Sequence, residues 1–145
     1  MRDLKGRNAI VTGGSKGIGK SVCLTLANAG VNVYILDIDK HEGLKTVKEV
    51  SELGVKSDFY QINVANEIEW IDFSNFLKNK KILLDILVNN AGIWIGKDID
   101  NVSLEEYQRL ISINLTGVFL GIKYLVPFLT EAGKKTKFGS TIINL

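Results

Sequence analysis

The sequence predicts an α/β fold in which helices cover both faces of a parallel β-sheet. Short apolar segments alternate along the 145-residue chain with longer segments whose apolar residues recur at helical spacing. The short segments are almost continuously apolar, which is typical of strands that are buried on both faces. The first of them stops at a glycine-rich turn that leads directly into a helix pattern. The length suits one domain, so we assign residues 1–145 to a single domain.

Five segments are predicted as strands because each is a short, near-continuous apolar run. They are about Asn8–Thr12, Val31–Leu36, Lys56–Asn63, Ile82–Val88 and Thr141–Leu145. Four segments with helical periodicity separate them. They are about Ile18–Ala29, Lys40–Leu53, Glu67–Lys80 and a long helix from Ser103 towards Glu131. Because a helix lies between successive strands, the strands are expected to run parallel in one sheet.

Local signals mark several of the helix ends. Gly30 and Gly54 stand where the first two helices are expected to stop, and glycine commonly closes a helix. Ser103 and Glu106 have the spacing of a capping box at the start of the long helix. Pro127 removes one backbone hydrogen bond, so it is expected to bend the last turns of that helix.

Composition argues against several classes of function. The formal net charge is +2 and no basic run stands out, so we expect no nucleic-acid partner. No apolar stretch is expected to reach membrane-spanning length, and no signal-peptide pattern begins the chain, so a cytoplasmic location is the default expectation. The single cysteine, Cys23, is expected to be a small core residue. The single histidine, His41, has no ligand partners nearby, so we expect no metal site.

The segment Asn8–Gly19, which reads NAIVTGGSKGIG, predicts a phosphate-binding turn between a strand and a helix. Glycines allow the backbone to turn tightly and allow a pyrophosphate to approach it closely. The N-terminus of the following helix offers free N–H groups and a partial positive charge to an anion. The position of this segment therefore favours a nucleotide site.

Two chemistries fit the same turn. Residues 13–19 have a dinucleotide-binding fingerprint in a variant spacing, whereas residues 14–21 match the P-loop pattern GxxxxGKS. In a P-loop, Lys20 would reach the outer phosphates and Ser21 would hold magnesium. Asp85, at the end of an apolar run, could serve as the acidic residue that accompanies a P-loop. The turn alone leaves both interpretations open.

Asp37 favours the dinucleotide interpretation because it ends the second predicted strand. A dinucleotide fold places an acidic residue at this position, where it accepts hydrogen bonds from the adenosine ribose hydroxyls. The same negative charge would repel a 2′-phosphate. We therefore expect NAD to be preferred over NADP.

Four segments together resemble the short-chain dehydrogenase/reductase family. They are residues 12–19 (TGGSKGIG), 89–92 (NNAG), 113–117 (INLTG) and 139–144 (GSTIIN), which occur in the order of the family's motifs. The resemblance covers the whole chain. It implies a Rossmann-type, doubly wound sheet with strand order 3-2-1-4-5 in three α/β/α layers, and an NAD(P)-binding domain that lacks the C-terminal strands and helices of the family.

The resemblance also implies roles for individual residues. Those expected to contact the cofactor are Gly13, Ser15, Gly17, Ile18, Gly19, Asp37, Asn63, Val64, Asn90, Ala91, Gly92 and Ile113. Asn63 departs from the family, which usually has an aspartate there, and its neutral side chain would be a weaker partner for adenine. Asn114 is expected to be buried and to belong to the catalytic proton relay, although a structural bond between helix and sheet would satisfy its amide equally well.

The family's catalytic serine and its Tyr-x-x-x-Lys pair have no counterpart in these residues. Tyr34, Tyr60, Tyr107 and Tyr124 are the four tyrosines, and none is followed by lysine four positions later. We therefore expect an N-terminal portion of the family's domain that stops before the serine segment. Such a portion would bind cofactor at most and would be inactive alone.

The function implied for the full-length parent is NAD-dependent hydride transfer between nicotinamide and a secondary alcohol or ketone. Two alternatives remain for the chain itself: a non-catalytic dinucleotide-binding or interaction fragment, and a P-loop NTPase. The predicted helix Ser103–Glu131 is apolar on more than one face, so the chain is expected to form homo-oligomers through it. The last predicted strand would form a sheet edge that favours pairing with another chain.

Overall fold

The computed structural model describes residues 4–145 and confirms the predicted alternation of strands and helices. The strands are β1 (Asn8–Thr12), β2 (Asn32–Asp37), β3 (Ser57–Gln61), β4 (Ile86–Asn89) and β5 (Thr141–Asn144). The helices are α1 (Gly17–Asn28), α2 (Lys40–Ser51), α3 (Glu67–Asn79), α4 (Leu104–Ile111) and α5 (Gly117–Gly133). A short 3₁₀ turn (Ile99–Asn101) precedes α4, and a π turn (Ser112–Thr116) joins α4 to α5.

The five strands form one parallel sheet in the order β3-β2-β1-β4-β5, which confirms the predicted order. Val11 of β1 is paired with Ile35 of β2 on one side and with Val88 of β4 on the other. From β1 the chain moves outward to β2 and β3, and it then returns to β4 on the opposite side of β1. This change of direction opens a crevice between the carboxyl ends of β1 and β4, where α/β sheets of this type bind ligands.

Alternate residues of strands β1 to β4 face two separate cores, which confirms the three-layer arrangement. Ile10 and Leu87 belong to one core, in which α3 and α5 cover the sheet. Val11 and Val88 belong to the other core, in which α1 and α2 cover the opposite face. Cys23 lies in the second core as predicted, and its burial raises the pKa of its thiol to about 12.

The fourth strand is shorter than predicted because it begins at Ile86 instead of Ile82. The N–H of Ile82 bonds to the carbonyl of Leu77 at 3.0 Å, so Ile82 closes the C-terminal end of α3 and does not begin the strand. The carbonyl of Leu83 accepts a bond from the side-chain amide of Asn8 at 2.8 Å. These bonds hold the apolar residues before Asp85 in a connection that leads into the sheet.

The long helix predicted after Ser103 is interrupted. Ser103 and Glu106 form the predicted capping box of α4. The N–H of Gly117 then bonds to the carbonyl of Ser112, which is the i→i+5 bond of a π turn. Pro127 lies inside α5, which continues beyond it to Gly133.

The expectation that no apolar stretch reaches membrane-spanning length was wrong for the helical run Leu104–Gly133. Within the described residues, this run alone is long and apolar enough to cross a membrane by length and composition, and an 18-residue window within it has a mean hydropathy of 1.5. The fold supplies a different reason for its apolar character. Leu120, Leu125 and Leu129 pack in the same core as Phe73 of α3.

Trp70 is the largest fully buried side chain, and its indole N–H donates to the carbonyl of Val64 at 2.8 Å. We predict that Trp70→Ala lowers the free energy of unfolding by about 3–5 kcal/mol, because it leaves a large cavity between α3 and α5. Trp70→Phe, which keeps an aromatic ring and loses the hydrogen bond, should cost clearly less. Urea unfolding followed by circular dichroism measures both, and an unchanged midpoint for Trp70→Ala would show that this core does not support the fold.

Candidate functional site

A groove of about 530 Å³ opens at the carboxyl ends of the central strands. Its size lies within the range of small-molecule and cofactor sites. It collects residues from the turn after β1, the end of β2, the end of β3, the segment after β4 and the π turn. The lining residues are Gly13, Lys16, Ile18, Gly19, Leu36, Asp37, Ile38, Asp39, Ile62, Asn63, Val64, Asn90, Ala91, Gly92, Ile93 and Ile113.

The turn after β1 can only be built from glycine at two positions. Gly13 has a φ of +63°, and a Cβ on it would lie 2.9 Å from the Cα of Ala91. A Cβ on Gly19 would lie 2.0 Å from the carbonyl oxygen of Gly13. The missing side chains therefore let α1 begin directly against the turn. They also leave the backbone of the turn open to the groove.

The N-terminus of α1 lacks a side-chain cap. Its N-cap residue, Lys16, makes no capping hydrogen bond, and the first turn contains no acidic residue. In contrast, α2, α3 and α4 are capped by the side chains of Asp39, Asn66 and Ser103. The first N–H groups of a helix have no partner within the helix. Those of α1 are thus available to an anion that approaches through the glycine turn.

A cluster of hydrogen bonds joins the ends of β1 and β4. The hydroxyl oxygen of Thr12 accepts from the backbone N–H groups of Asn90 and Ala91, both at 3.0 Å. The side-chain amide of Asn90 donates to the carbonyls of Thr12 and Gly13, at 3.0 and 3.1 Å. Asn89 reaches the other way and donates to the side chain of Asn144 at 2.9 Å. The asparagine pair thus ties β4 to both neighbouring strands, as predicted.

Asp37 points into the turn after β1. One carboxylate oxygen accepts from the N–H of Ser15 at 3.0 Å, and the other accepts from the N–H of Asp39 at 3.0 Å. A carboxylate offers about four acceptor sites, so each oxygen can accept a further bond from a ligand. The two backbone donors hold the carboxylate at the edge of the groove.

Ser15 and Gly17 are the two predicted contact residues that do not line the groove. Ser15 is 1 % exposed, and its hydroxyl donates to the carbonyl of Asp39 at 3.3 Å. The Ser15 hydroxyl stabilises the turn through this bond, and the Ser15 N–H positions the carboxylate of Asp37. Gly17 has a φ of +57° and lies on the outer side of α1, beside Ser21 and Val22.

The segment after β3 forms the opposite wall of the groove. The side-chain oxygen of Asn63 accepts from the N–H of Ala65 at 3.1 Å, so it retains one acceptor site for a ligand. Val64 is buried, and a Cβ on Gly117 would lie 2.8 Å from a methyl carbon of Val64. The beginning of α5 is therefore packed directly against this wall.

Asn114 is exposed, so the prediction that it is buried was wrong. Its amide accepts from the N–H of Ile93 and donates to the carbonyl of Ile93, both at 2.9 Å. The extra residue in the π turn allows Ile113 to line the groove while Asn114 faces the segment after β4. The observed role of the Asn114 side chain is thus to hold that segment in place.

The structure does not support the P-loop interpretation. Lys20 donates to Glu49 at 2.7 Å, and Ser21 donates to the carbonyl of Gly17 at 3.2 Å. Neither side chain lines the groove. Asp85 precedes β4 and accepts from the N–H of Asn8 at 2.9 Å, so it lies at the amino end of the sheet, far from the turn. Within residues 4–145, no group of His, Cys, Asp and Glu could hold a metal ion.

Sequence reasoning assigned no role to Thr12, and it missed six residues that line the groove: Lys16, Leu36, Ile38, Asp39, Ile62 and Ile93. A polar residue at the end of a buried strand, as Thr12 is, signals a hydrogen-bonding role. The Lys16–Asp39 ion pair, with 3.6 Å between nitrogen and oxygen, joins two loops that are distant in the sequence, so no local sequence pattern predicts it. The contact of Ile93 is made through its backbone, which no side-chain pattern reveals.

Comparisons with known proteins agree with this geometry. The chain matches the sequence profile of the short chain dehydrogenase family over residues 7–145. It is 36 % identical over 125 residues to a cyclopentanol dehydrogenase from Comamonas sp. (strain NCIMB 9872), a match that covers 86 % of this chain and 50 % of that protein. It is 34 % identical over 130 residues to a 3-beta-hydroxysteroid dehydrogenase from Comamonas testosteroni, which covers 90 % of this chain and 50 % of that protein.

A solved structure also matches, that of RhlG from Pseudomonas aeruginosa in an active-site complex with NADP. It superimposes with a TM-score of 0.88 and 30 % sequence identity, and the match covers 98 % of this chain and 55 % of that chain. The present chain thus spans about half the length of the relatives that it matches.

The hydroxyl of Thr12 can be tested as the link between β1 and β4. We predict that Thr12→Val lowers the free energy of unfolding by about 1–3 kcal/mol, because the two N–H groups that it serves lose their acceptor. Thr12→Ser keeps the hydroxyl and should restore most of the loss. Chemical denaturation measures both variants, and a Thr12→Val chain as stable as the unaltered one would contradict this role.

Proposed function

The chain belongs to the short-chain dehydrogenase family, and we propose on that premise that it binds NAD in the groove at the carboxyl ends of β1 and β4. The observation that carries the proposal is the uncapped N-terminus of α1, which starts against a turn that lacks side chains at Gly13 and Gly19. A pyrophosphate placed there would receive backbone N–H groups and the positive end of the helix dipole.

Asp37 is the proposed partner of the adenosine ribose. Its two oxygens are fixed by backbone N–H groups and keep acceptor capacity for the two ribose hydroxyls. A phosphate on the 2′-oxygen would remove the hydroxyl that donates to Asp37 and would place a negative charge beside its carboxylate. We therefore propose that NAD is preferred over NADP. The complex of RhlG with NADP means that cofactor choice must be argued from the local charges of this chain.

The remaining predicted contacts have a place in the same arrangement. Asn63 and Val64 would lie beside the adenine, whereas Ala91, Gly92 and Ile113 would lie along the rest of the dinucleotide. These assignments are supported by their position in one groove. Ser15 would act indirectly, through its N–H bond to Asp37.

For the full-length parent we propose oxidation of a secondary alcohol or reduction of the matching ketone. The nicotinamide ring would supply the hydride chemistry. Asn114 is the proposed member of the proton relay in this chain. A Cβ on Gly92, which lines the groove, would lie 3.5 Å from the side-chain oxygen of Asn114. Both matched relatives carry names that specify alcohol dehydrogenation, which supports this reaction class.

The alternative is a non-catalytic dinucleotide-binding or interaction fragment, and we propose it for the 145 residues taken alone. Self-association is proposed through the region Ser103–Glu131, whose outer face is apolar. Leu115 and Phe119 are 62 % and 58 % exposed there, and large exposed apolar patches favour association.

We predict that the unaltered chain binds NADH and NAD more tightly than NADPH and NADP, and does not bind ATP with magnesium. Asp37→Asn should reduce the preference for NAD by about 1.5–3 kcal/mol, the scale of hydrogen bonds to a charged group. Fluorescence titration with NADH, with displacement by the other nucleotides, measures these affinities.

Asp58→Asn is the matched control for this titration because Asp58 is exposed on the neighbouring strand and does not line the groove. It should leave the preference unchanged. Tighter binding of NADP by the unaltered chain would contradict the assignment of Asp37, and displacement of NADH by ATP with magnesium would contradict the dinucleotide site.

We also predict that the 145 residues alone show no turnover of cyclopentanol with NAD or of cyclopentanone with NADH. Positioned acid–base groups contribute about 10²–10⁴-fold, and no tyrosine in the chain has a lysine four positions later. Absorbance at the NADH band follows the reaction, with a full-length family member as positive control. Turnover that survives purification and is lost in Asn114→Ala would overturn this expectation.

A further inference from the structure

Three charged residues line the groove among the described residues: Lys16, Asp37 and Asp39. All three lie where the turn after β1 meets the turn after β2. Lys16 is the single cation of this set. The charge that a ribose phosphate would meet there therefore depends on where the ammonium group of Lys16 is held.

Asp39 is fixed by several bonds from its surroundings. Its N–H donates to Asp37 at 3.0 Å, and one carboxylate oxygen accepts from the N–H of Glu42 at 3.1 Å, which caps α2. Its carbonyl accepts from the hydroxyl of Ser15 at 3.3 Å. These bonds leave the second carboxylate oxygen to face Lys16.

Lys16 is the more exposed partner of the pair. Its ammonium nitrogen lies 3.6 Å from the second carboxylate oxygen of Asp39, and its side chain is 73 % exposed against 33 % for Asp39. A lysine side chain is a flexible stem that carries a compact charge and binds phosphate well. The position of its charge is therefore set by the fixed carboxylate.

Asp39 also remains charged at neutral pH. The N–H of Glu42, and then the ammonium group of Lys16, hold the pKa of Asp39 below its usual value. The carboxylate that faces Lys16 is thus ionised over the whole physiological range of pH. Two other cations nearby have their own partners: Lys20 pairs with Glu49 and Lys45 pairs with Glu42, both at 2.7 Å.

We propose that Asp39 is a positioning residue for cofactor selection, which acts by holding Lys16 away from the 2′-position of the adenosine ribose. Asp37 would repel a 2′-phosphate directly, whereas Asp39 would deny that phosphate the cation that could bind it. This inference rests on the proposed binding of a dinucleotide in the groove. It assigns cofactor discrimination to a triad of Lys16, Asp37 and Asp39.

The test is a double-mutant cycle on Lys16→Met and Asp39→Asn, read as dissociation constants for NAD and NADP. Asn keeps the oxygen that caps α2 and removes the charge that faces Lys16. Asp39→Asn should tighten NADP binding by about 3- to 5-fold, because the gain through Lys16 is limited to the free energy of the exposed ion pair that is broken. In the Lys16→Met background, Asp39→Asn should change the dissociation constant for NADP by about 2-fold or less, since exposed charges act weakly without a direct contact.

The single variant Lys16→Met separates this proposal from direct phosphate binding. If Asp39 holds the ammonium, Lys16→Met alone changes the affinity for NADP by about 2-fold or less. If Lys16 already contacts the 2′-phosphate in the unaltered chain, the loss will be much larger. Titration with adenosine 2′,5′-bisphosphate and with ADP gives the same comparison without the nicotinamide half.

Lys45→Met is the matched control because it removes an equivalent charge from α2 outside the groove lining. The gain in NADP affinity from Asp39→Asn should persist in that background. Thermal unfolding by circular dichroism checks that every variant remains folded. Higher ionic strength should reduce the gain, because it screens the contact between lysine and phosphate.

A gain from Asp39→Asn that is equal with and without Lys16 would overturn the proposal, and so would a large loss of NADP affinity from Lys16→Met alone. Either result, with NAD still bound by the unaltered chain, leaves the proposed function intact. Failure of the unaltered chain to bind NAD, NADP or ADP at all would contradict both the proposed function and this inference.

Discussion

The contact between the turn after β1 and the segment after β4 is the constraint on which the site depends. The hydroxyl oxygen of Thr12 accepts a hydrogen bond from the N–H of Asn90, and the side-chain amide of Asn90 donates one to the carbonyl of Thr12. Gly13 and Gly19 allow the two backbones to approach more closely than any side chain would permit. This contact fixes the position at which α1 begins, and it thereby aims the free N–H groups of that helix into the groove. A phosphate site at this point follows from packing as much as from the glycine motif.

The π turn extends the same constraint to the far wall of the groove. Asn114 binds both backbone groups of Ile93, and Gly117 packs directly against Val64. One helical region thus holds the segments that follow β4 and β3. π turns are rare and occur frequently at functional sites, because the extra residue redirects neighbouring side chains. Here it separates Ile113, which lines the groove, from Asn114, which supports it.

The sequence predicted the sheet order, both helix layers and ten of the residues that line the groove, because these follow from periodicity, glycine turns and the motifs of a family. It did not predict the start of β4, since Ile82 and Leu84 are as apolar as the strand itself and only the bond between Asn8 and Leu83 shows that they lie before it. The π turn has no signature in local propensity. The pairing of Lys16 with Asp39 arises from the approach of two loops, which a one-dimensional pattern does not contain.

Backbone chemical-shift mapping of the ¹⁵N-labelled chain during titration with NADH would show directly whether the groove binds the dinucleotide. Binding at the turn after β1 should give saturable shifts at Gly13, Gly19, Asp37 and Asn90. The amide of Gly6, at the opposite end of the sheet, should not shift. Shifts confined to residues outside the groove, or no shifts at millimolar NADH, would show that the turn after β1 does not form a dinucleotide site in this chain.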